Sequence, residues 1–340
     1  MPLPGRKRSR ARAIALVACL TACASQPSCT RQYVVSDTGP QAYYQTAFPI
    51  RDTSRQLERV IDSIRRIGVL GMYTTYRFAR EDSITDADLA LSHTLARARE
   101  RYSSELPKAG TGTIIDVQPD GVTLITNNHV TSLPDTVVVY YPADVADAPR
   151  AVESISILAQ RRDAVHGLPD SRSFRVIARD SIADLALIHV RVRTVDLVPP
   201  IRELTVPMGD ASKLSWGSFV YVAGFPRRQR MVTRGIVSEP RRGPEDGFVL
   251  DGMFNRGISG GVILAVRGDT GELEWVGLAT SAAAESDDRL SPGLREIPQE
   301  NLLVPYDGPL YVRRTPRILY GITYPVTITT IRRFLGRPPS

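Results

Sequence analysis

The sequence predicts an all-β fold, either a sandwich or a pair of barrels, preceded by a short helical region. From Gly110 onward, short segments rich in β-branched and aromatic residues recur between turn residues, a pattern typical of many short strands. The 340 residues, 42% of them hydrophobic, are enough to bury a sizeable core. That core must form without a disulfide or a thiolate metal site, because the cysteines all precede residue 30: Cys19, Cys23 and Cys29.

Charge and composition exclude several classes of protein. The composition is unlike that of a collagen-like or disordered chain. The formal net charge is +7, but residues 1–22 hold five basic residues and no acidic one, so the rest of the chain is close to neutral. No nucleic-acid partner is therefore predicted. The four histidines show no zinc-ligand spacing, and the sequence predicts neither a metal nor a cofactor.

The N-terminal residues have the features of an export signal. Basic residues within 6–12 precede an apolar run that is too short to span a bilayer, which predicts a signal peptide over residues 1–22. The run ends in Leu20-Thr-Ala-Cys23, which resembles the lipobox of bacterial lipoproteins. The resemblance implies that Cys23 carries a lipid anchor in the bacterial cell envelope, facing the periplasm; an ordinary secretory signal is the alternative. Ala24, in place of an aspartate, points to the outer membrane.

Two segments are predicted between the export signal and the strand-rich region. Residues 23–52 are polar and rich in turn residues, and are predicted to be a flexible tether. Residues 53–105 are predicted to form a helical region with one strand, and both helices are expected to serve packing or partner contact. Its elements are a helix from Thr53 or Ser54 that Gly68 ends, a strand over Val69–Phe78, and a helix from Thr85 or Asp86 to about Arg101.

The strand-rich region begins with a predicted hairpin. Strands over Thr113–Val117 and Val122–Thr126 flank a turn in which Gly121 is expected to take a positive φ. Long surface loops are expected over 142–171 and 282–316. The further predicted strands are Thr136–Tyr141, Phe174–Ala178, Leu185–Val192, Phe219–Ala223, Met231–Ser238, Gly247–Leu250, Val262–Val266, Glu274–Leu278 and Ile322–Ile328.

Three local patterns carry residues that suit nucleophilic catalysis: Thr126-Asn-Asn-His129-Val, Asp184 at the start of an apolar strand, and Gly257-Ile-Ser259-Gly-Gly. Each alone also suits a structural residue, but their conjunction in one chain predicts a catalytic triad. A serine hydroxyl attacks only when an imidazole takes its proton, and a carboxylate must hold that imidazole in the correct tautomer. Glycines beside the serine allow the N–H groups of Gly257 and Ser259 to form an oxyanion hole.

These motifs resemble the HtrA (Deg) branch of the trypsin-like serine proteases. Gly110-Thr-Gly-Thr-Ile-Ile-Asp, Ala183-Asp-Leu-Ala-Leu-Ile and the segment from Asp251 to Gly261 resemble that branch as well. The resemblance implies two antiparallel six-stranded β-barrels of the chymotrypsin type, with the triad in the cleft between them and a protease domain over residues 106–340. It further implies a serine endopeptidase that acts on polypeptide substrates, serves in protein quality control and assembles as a homo-oligomer.

The sequence departs from that family at several positions. Ile258 stands where Asn or Asp is usual before the serine, which argues against activation by a newly cut amino terminus, and Val262 replaces a frequent proline. Met253, in the predicted substrate pocket, replaces the aspartate of enzymes that cleave after Arg or Lys. The family usually has a peptide-binding PDZ domain after the protease domain, and this sequence is predicted to lack one. These departures keep one alternative open, a catalytically silent lipoprotein on a protease fold that acts as a binding or scaffold protein.

Overall fold

The computed structural model describes residues 43–49, 52–91, 93–141, 150–168, 173–252, 254–280, 282–292 and 310–336. Within these ranges the chain is mostly β, and its strands form two curled antiparallel sheets with a few short helices around them. The predicted all-β class is therefore confirmed. None of the helices in these ranges has the length and apolar character needed to cross a bilayer.

The first sheet contains seven strands in the order β4-β5-β1-β2-β3-β7-β6. Each strand pairs antiparallel with its neighbours, and β1 lies between β2 and β5 along most of its length. The strands are β1 (Ile64–Arg77), β2 (Glu100–Gln118), β3 (Gly121–Thr126), β4 (Thr136–Tyr140), β5 (Val152–His166), β6 (Arg175–Asp180) and β7 (Leu185–Arg191).

The second sheet contains eight strands in the order β13-β14-β10-β9-β8-β11-β12-β15. The two sheets thus hold seven and eight strands, where six each were expected. The strands are β8 (Phe219–Gly224), β9 (Met231–Glu239), β10 (Val249–Gly252), β11 (Val262–Val266), β12 (Leu273–Leu278), β13 (Ala282–Pro292), β14 (Leu310–Thr323) and β15 (Val326–Thr327). The α-helices are α1 (Ser54–Ser63), α2 (Asp86–Leu89), α3 (Asn128–Thr131) and α4 (Ile328–Phe334).

Apolar residues form one core inside the first sheet and a larger one that both sheets share. The first-sheet core is built around Ile114, Leu124 and Ile188. The larger core contains β11, all of whose residues are buried because β8 and β12 flank it. Buried residues of the first sheet also belong to this larger core, namely Ile64, Ile125 and Leu185. The junction between the sheets is therefore a continuous apolar core, and this packing holds the two sheets in a fixed relative position.

The N-terminal region contains less helix and more strand than expected. Helix α1 ends at Ser63 and β1 begins at the next residue, where the helix was predicted to run to Gly68. The second predicted helix is reduced to α2 and a 3₁₀ turn over Thr94–Arg97, and β2 starts at Glu100. The predictions were wrong because β1 pairs with β2 from Ile64 to Arg77, and this pairing outweighs the local helical spacing.

Both long loops predicted from the sequence contain strands. Strand β5 lies within 142–171, and β13 and the start of β14 lie within 282–316. Strand β5 pairs with β1, and its exposed middle residues 159–162 interrupt the alternation that is expected of a half-buried strand. Strands β1, β2 and β5 form an arm of the first sheet. A small separate apolar cluster packs at the end of this arm and consists of Phe78, Ile84, Val152 and Ile155.

The predicted hairpin is present, but its glycine is needed for a different reason. Strands β2 and β3 pair up to Gln118 and Gly121, as the sequence predicts. Gly121 is absent from the positive-φ residues of the described chain. A Cβ there would lie 2.6 Å from the His189 ring and 2.8 Å from the Val190 carbonyl oxygen. Close approach of β7, and not the backbone angle, therefore requires a residue without a side chain.

The folded part of the chain begins earlier than the predicted boundary between tether and helix. Tyr44 is fully buried, and its hydroxyl donates to Glu274 at 2.8 Å and accepts from the Asp210 N–H at 2.9 Å. It also forms a β-bridge with Arg267. Residues 43–49 thus pack on the second sheet, whereas residues 1–42, including the predicted signal peptide and Cys23, lie outside the described residues.

Candidate active site

His129 lies one turn beyond the end of β3, in the short helix α3. Strand β3 ends at Thr126, and α3 places the imidazole at the junction between the two sheets. The ammonium group of Lys108, on β2, donates to the backbone carbonyl oxygens of His129, at 3.1 Å, and Ser132. This cation at the C-terminal end of the turn stabilises α3 and so fixes the backbone that carries the imidazole.

Asp184 binds His129 through both carboxylate oxygens. Its Oδ2 lies 2.7 Å from Nδ1 of the His129 ring, and its Oδ1 accepts the His129 backbone N–H at 2.9 Å. Thr280 donates its hydroxyl to Oδ2 at 2.9 Å, while the Asn127 amide and the Asn128 N–H bind the Asp184 carbonyl oxygen. The ring orientation is thus fixed from two elements of the first sheet and one residue that follows β12.

The same contacts set the ionisation of Asp184. Burial alone would raise its pKa, but hydrogen bonds from the His129 ring, the His129 N–H and the Thr280 hydroxyl outweigh burial and lower the pKa. The backbone of Asp184 adopts a left-handed φ of 55°, which aspartate tolerates better than most residues. The carboxylate is therefore an anion at neutral pH, oriented to hold the Nδ1 proton of His129.

Ser259 lies in a tight loop between β10 and β11, where glycines permit a close approach to β2. Gly257 and Gly260 have φ angles of +100° and +84°. A Cβ on Gly260 would lie 2.0 Å from the Thr111 carbonyl oxygen. The Thr111 N–H donates to the Ser259 carbonyl oxygen at 2.7 Å. The Ser259 loop of the second sheet is thus hydrogen-bonded directly to β2 of the first sheet.

The predicted oxyanion donors have no hydrogen-bond acceptor among the residues that the structure describes. Within the described ranges, neither the Gly257 N–H nor the Ser259 N–H donates to a protein acceptor. Gly257 is buried, so an N–H left without a partner there carries a free-energy cost that a bound oxyanion would remove. The Gly257 carbonyl is turned away from this position, because it accepts the Thr111 hydroxyl at 2.9 Å.

Thr111 is a residue of this site that sequence reasoning missed. Its hydroxyl donates to the Gly257 carbonyl and accepts the Phe225 N–H at 2.9 Å, so one buried side chain connects β2, the β8–β9 turn and the serine loop. Thr280 and Lys108 were missed as well. In the sequence, nothing distinguishes Thr111 from the other small residues of the Gly110-Thr-Gly segment. Its contacts become evident only in the fold.

The structure joins His129 to Asp184 but does not connect Ser259 to them by a hydrogen bond. Among the residues that the structure describes, the Ser259 hydroxyl makes no hydrogen bond to the His129 ring. In ligand-free active sites the bond between nucleophile and base is often long and shortens only when substrate binds. Ser259 is half-buried, and the contact that anchors it to β2 uses its carbonyl oxygen and not its hydroxyl.

Two departures in the loop have a visible packing role. Ile258 is 3% exposed and belongs to the larger core, where its Cδ1 lies 2.7 Å from the position that a Cβ on Gly224 would occupy. An apolar contact thus holds the position before the serine. Val262 is fully buried at the start of β11. Met253, the predicted substrate-pocket residue, lies outside the described residues.

The described chain contains no group of three or more His, Cys, Asp or Glu side chains that could hold a metal ion. The arrangement provides a base, an orienting carboxylate, a hydroxyl and two unpaired N–H groups. Together these groups suit acyl transfer through a serine nucleophile. The fold and the arrangement of these groups are typical of a trypsin-like domain.

A family model agrees with this class for part of the chain. Residues 110–273 match the family model of the trypsin-like peptidase domain, and this part of the chain is such a domain. No curated protein matches the chain. Among solved structures, it is similar to the HtrA-type protease AlgW with a decapeptide, at 17% identity and a TM-score of 0.41, over 84% of this chain and 65% of that one. It is also similar to Deg5, at 16% identity and a TM-score of 0.36, over 67% of this chain and 83% of that one.

Proposed function

We propose that the protein is a serine endopeptidase in which His129, Asp184 and Ser259 form the catalytic triad. The observation that carries this proposal is the His129–Asp184 pair, joined at 2.7 Å and by a second bond to the His129 backbone. A pair bound at two points holds the Nδ1 proton, which leaves Nε2 unprotonated and able to accept a proton. Ser259 supplies the hydroxyl whose proton Nε2 would accept.

The reaction follows from these positions. As the Ser259 oxygen attacks the peptide carbonyl carbon, its proton passes to Nε2 of His129, and the carbonyl becomes an oxyanion. The N–H groups of Gly257 and Ser259 bind that oxyanion, and each such donor contributes about 3 kcal/mol to lowering the barrier. His129 then gives its proton to the leaving amine, which departs and leaves an acyl ester on Ser259. Water, activated by His129, hydrolyses the ester and restores the hydroxyl.

A fluorophosphonate probe tests the proposal, because it reacts only with an activated serine hydroxyl. We expect the purified protein, without residues 1–22, to carry one adduct that peptide mass mapping assigns to Ser259. The alternative of a silent binding or scaffold protein gains support from the absence of a bond between Ser259 and His129, and it predicts no adduct. A folded protein that remains unlabelled after prolonged exposure would therefore contradict the peptidase proposal.

We expect Thr111→Val to lower kcat for casein hydrolysis about 100-fold, because it leaves the Gly257 carbonyl unpaired and frees the oxyanion loop to turn. The buried groups left unpaired should also lower the free energy of unfolding by about 1–3 kcal/mol. Thr75→Val is the matched control, since Thr75 is 2% exposed on β1 and bonds Ser104 and Ser156 far from the site. Urea unfolding and casein assays of both variants check this; an equal kcat in the two would exclude a role of Thr111 in positioning the loop.

The cellular place of the enzyme is also a proposal. The basic, apolar and lipobox-like order of residues 1–23 supports export to the bacterial cell envelope and a lipid anchor on Cys23, at the outer membrane and facing the periplasm. Degradation of damaged envelope proteins, by a homo-oligomer, would be the corresponding role. We expect Cys23→Ala to move the protein from the membrane fraction to the soluble fraction, whereas Cys29→Ala should not. An unchanged distribution for Cys23→Ala would rule out the anchor.

A further inference from the structure

Six arginines belong to segments that lie close to the oxyanion loop or to its neighbouring turn. They come from three segments: the start of β1, the turn between β8 and β9, and the loop before Ser259. We call this group the basic rim; its members are Arg65, Arg66, Arg227, Arg228, Arg230 and Arg256.

The β8–β9 turn lies directly against the oxyanion loop. The Arg227 N–H donates to the Arg256 carbonyl oxygen at 2.8 Å. A Cβ on Gly257 would lie 2.5 Å from the Phe225 carbonyl oxygen, so the turn and the loop are in close contact. The four arginines of these two segments are exposed. Their side chains are therefore accessible to solvent on segments that contact the loop carrying Gly257.

Strand β1 brings further positive charge to the same side. Arg66 stands directly opposite Thr111 of β2 and His166 of β5 in the sheet register. Directly opposed residues share a face of a sheet, and the Thr111 side chain on this face contacts the Gly257 carbonyl. Arg66 thus lies on the face of the first sheet that meets the oxyanion loop.

The charges of these segments are close enough to affect one another. Burial, Arg66 and Arg228 together lower the pKa of His166. Burial and the charge of Arg230 lower the pKa of Arg65. Arginines from β1 and from the β8–β9 turn therefore contribute to one positive field, which is strongest where the surface is least hydrated.

The positive charge of the basic rim is not neutralised by the protein. None of its six arginines forms an ion pair within the described part of the chain, although Asp62 is near enough to raise the pKa of Arg65. The Nε of Arg65 is buried and has no acceptor there. Elsewhere on the surface, arginines such as Arg77 and Arg267 contact carboxylates. The basic rim therefore carries an excess of positive charge, which an anionic ligand would neutralise.

We propose that the basic rim is a substrate subsite that binds an acidic side chain on the C-terminal side of the scissile bond. The proposal rests on the peptidase function proposed above. His129 must protonate the leaving amine, so the leaving peptide departs over the first sheet, which carries both His129 and β1. An anionic lipid surface would also be attracted by this charge, but the contact of the rim with Gly257 favours the substrate as its occupant.

Matched peptides test the proposal. A decapeptide that spans the most rapidly cleaved bond of β-casein is made with Asn at the three positions after that bond, and then with Asp at each position in turn. We expect kcat/KM to be about fivefold higher for Asp than for Asn at one or more of these positions, and the ratio to fall toward one as salt is raised. In the Arg228→Gln/Arg230→Gln variant, the ratio should be close to one at low salt.

The control is Arg175→Gln/Arg191→Gln, which removes the same charge from exposed positions on β6 and β7. If the Asp/Asn ratio of kcat/KM fell equally in this control, the preference would be an effect of net charge, and the subsite would be overturned. A preference for acidic residues only before the scissile bond would also overturn it. If the rim variant lost binding to phosphatidylglycerol vesicles but kept the Asp/Asn ratio, the basic rim would be a membrane-binding surface and not a substrate subsite.

Failure of the subsite and failure of the peptidase proposal give different results. A wild-type protein that takes the fluorophosphonate on Ser259 and cleaves the Asn and Asp peptides equally would overturn the subsite alone. A wild-type protein that takes no label and cleaves no peptide would overturn both.

Discussion

Replacing Ser259 by alanine is expected to lower kcat for casein hydrolysis by about six orders of magnitude, to the limit of detection. The methyl group cannot form the acyl ester, and the remaining groups only polarise a carbonyl that no nucleophile attacks. The fold should be retained, because the contact that anchors this residue uses its carbonyl oxygen, which the Thr111 N–H binds at 2.7 Å. The measurement is release of labelled fragments from casein by the purified protein without residues 1–22.

Ser238→Ala is the matched control for that experiment, since Ser238 is a half-buried serine on β9. We expect the control to keep the wild-type rate. Equal casein hydrolysis by wild type and Ser259→Ala would assign the activity to a contaminant or to another residue, and would leave the silent binding protein as the better description.

Replacing Asp184 by asparagine is expected to lower kcat about 10⁴-fold, the size of effect that loss of the orienting carboxylate has in a serine triad. The asparagine amide would donate to Nδ1 of His129, so the ring proton would move to Nε2, which could then no longer accept the Ser259 proton. Thr280→Val is the control, because it removes one hydrogen bond to the carboxylate and keeps the charge. A kcat of Asp184→Asn within tenfold of the wild type would contradict the triad.

The same variant should change how stability depends on pH. Because the pKa of Asp184 is lowered in the folded protein, its ionised form stabilises the fold fully above about pH 4 and progressively less as pH falls through the folded-state pKa. Asparagine does not titrate. Urea unfolding between pH 3 and 7 should therefore show a smaller loss of stability on acidification for Asp184→Asn than for the wild type.

The pairing of His129 with Asp184 could be predicted from the sequence because both residues lie in short local motifs. His129 and Asp184 each adjoin an apolar strand, and the structure joins them by a hydrogen bond. Thr280 and Thr111 could not be predicted in the same way. Each acts on a residue about 100 or more positions away, and only the pairing of strands brings the two together.

The failures in the fold have a similar cause. Strand β5 and the first part of β2 were missed because they contain exposed polar residues and are stabilised by pairing with β1. Apolar strands that lie within a sheet, such as β8 and β11, were predicted almost to the residue. Sequence patterns therefore identified the apolar strands of both sheets and missed the exposed, polar segments that pair with β1.

The apolar core shared by the two sheets has a thermodynamic consequence. His129 and Asp184 belong to one sheet and Ser259 to the other, while Ile64, Ile125 and Leu185 bury their side chains in the core that both sheets build. Any opening that separates the reactive groups must expose this core to water, at a cost comparable to the whole folding free energy of a domain. We therefore expect the geometry of the site and the native state to be lost together in one cooperative step.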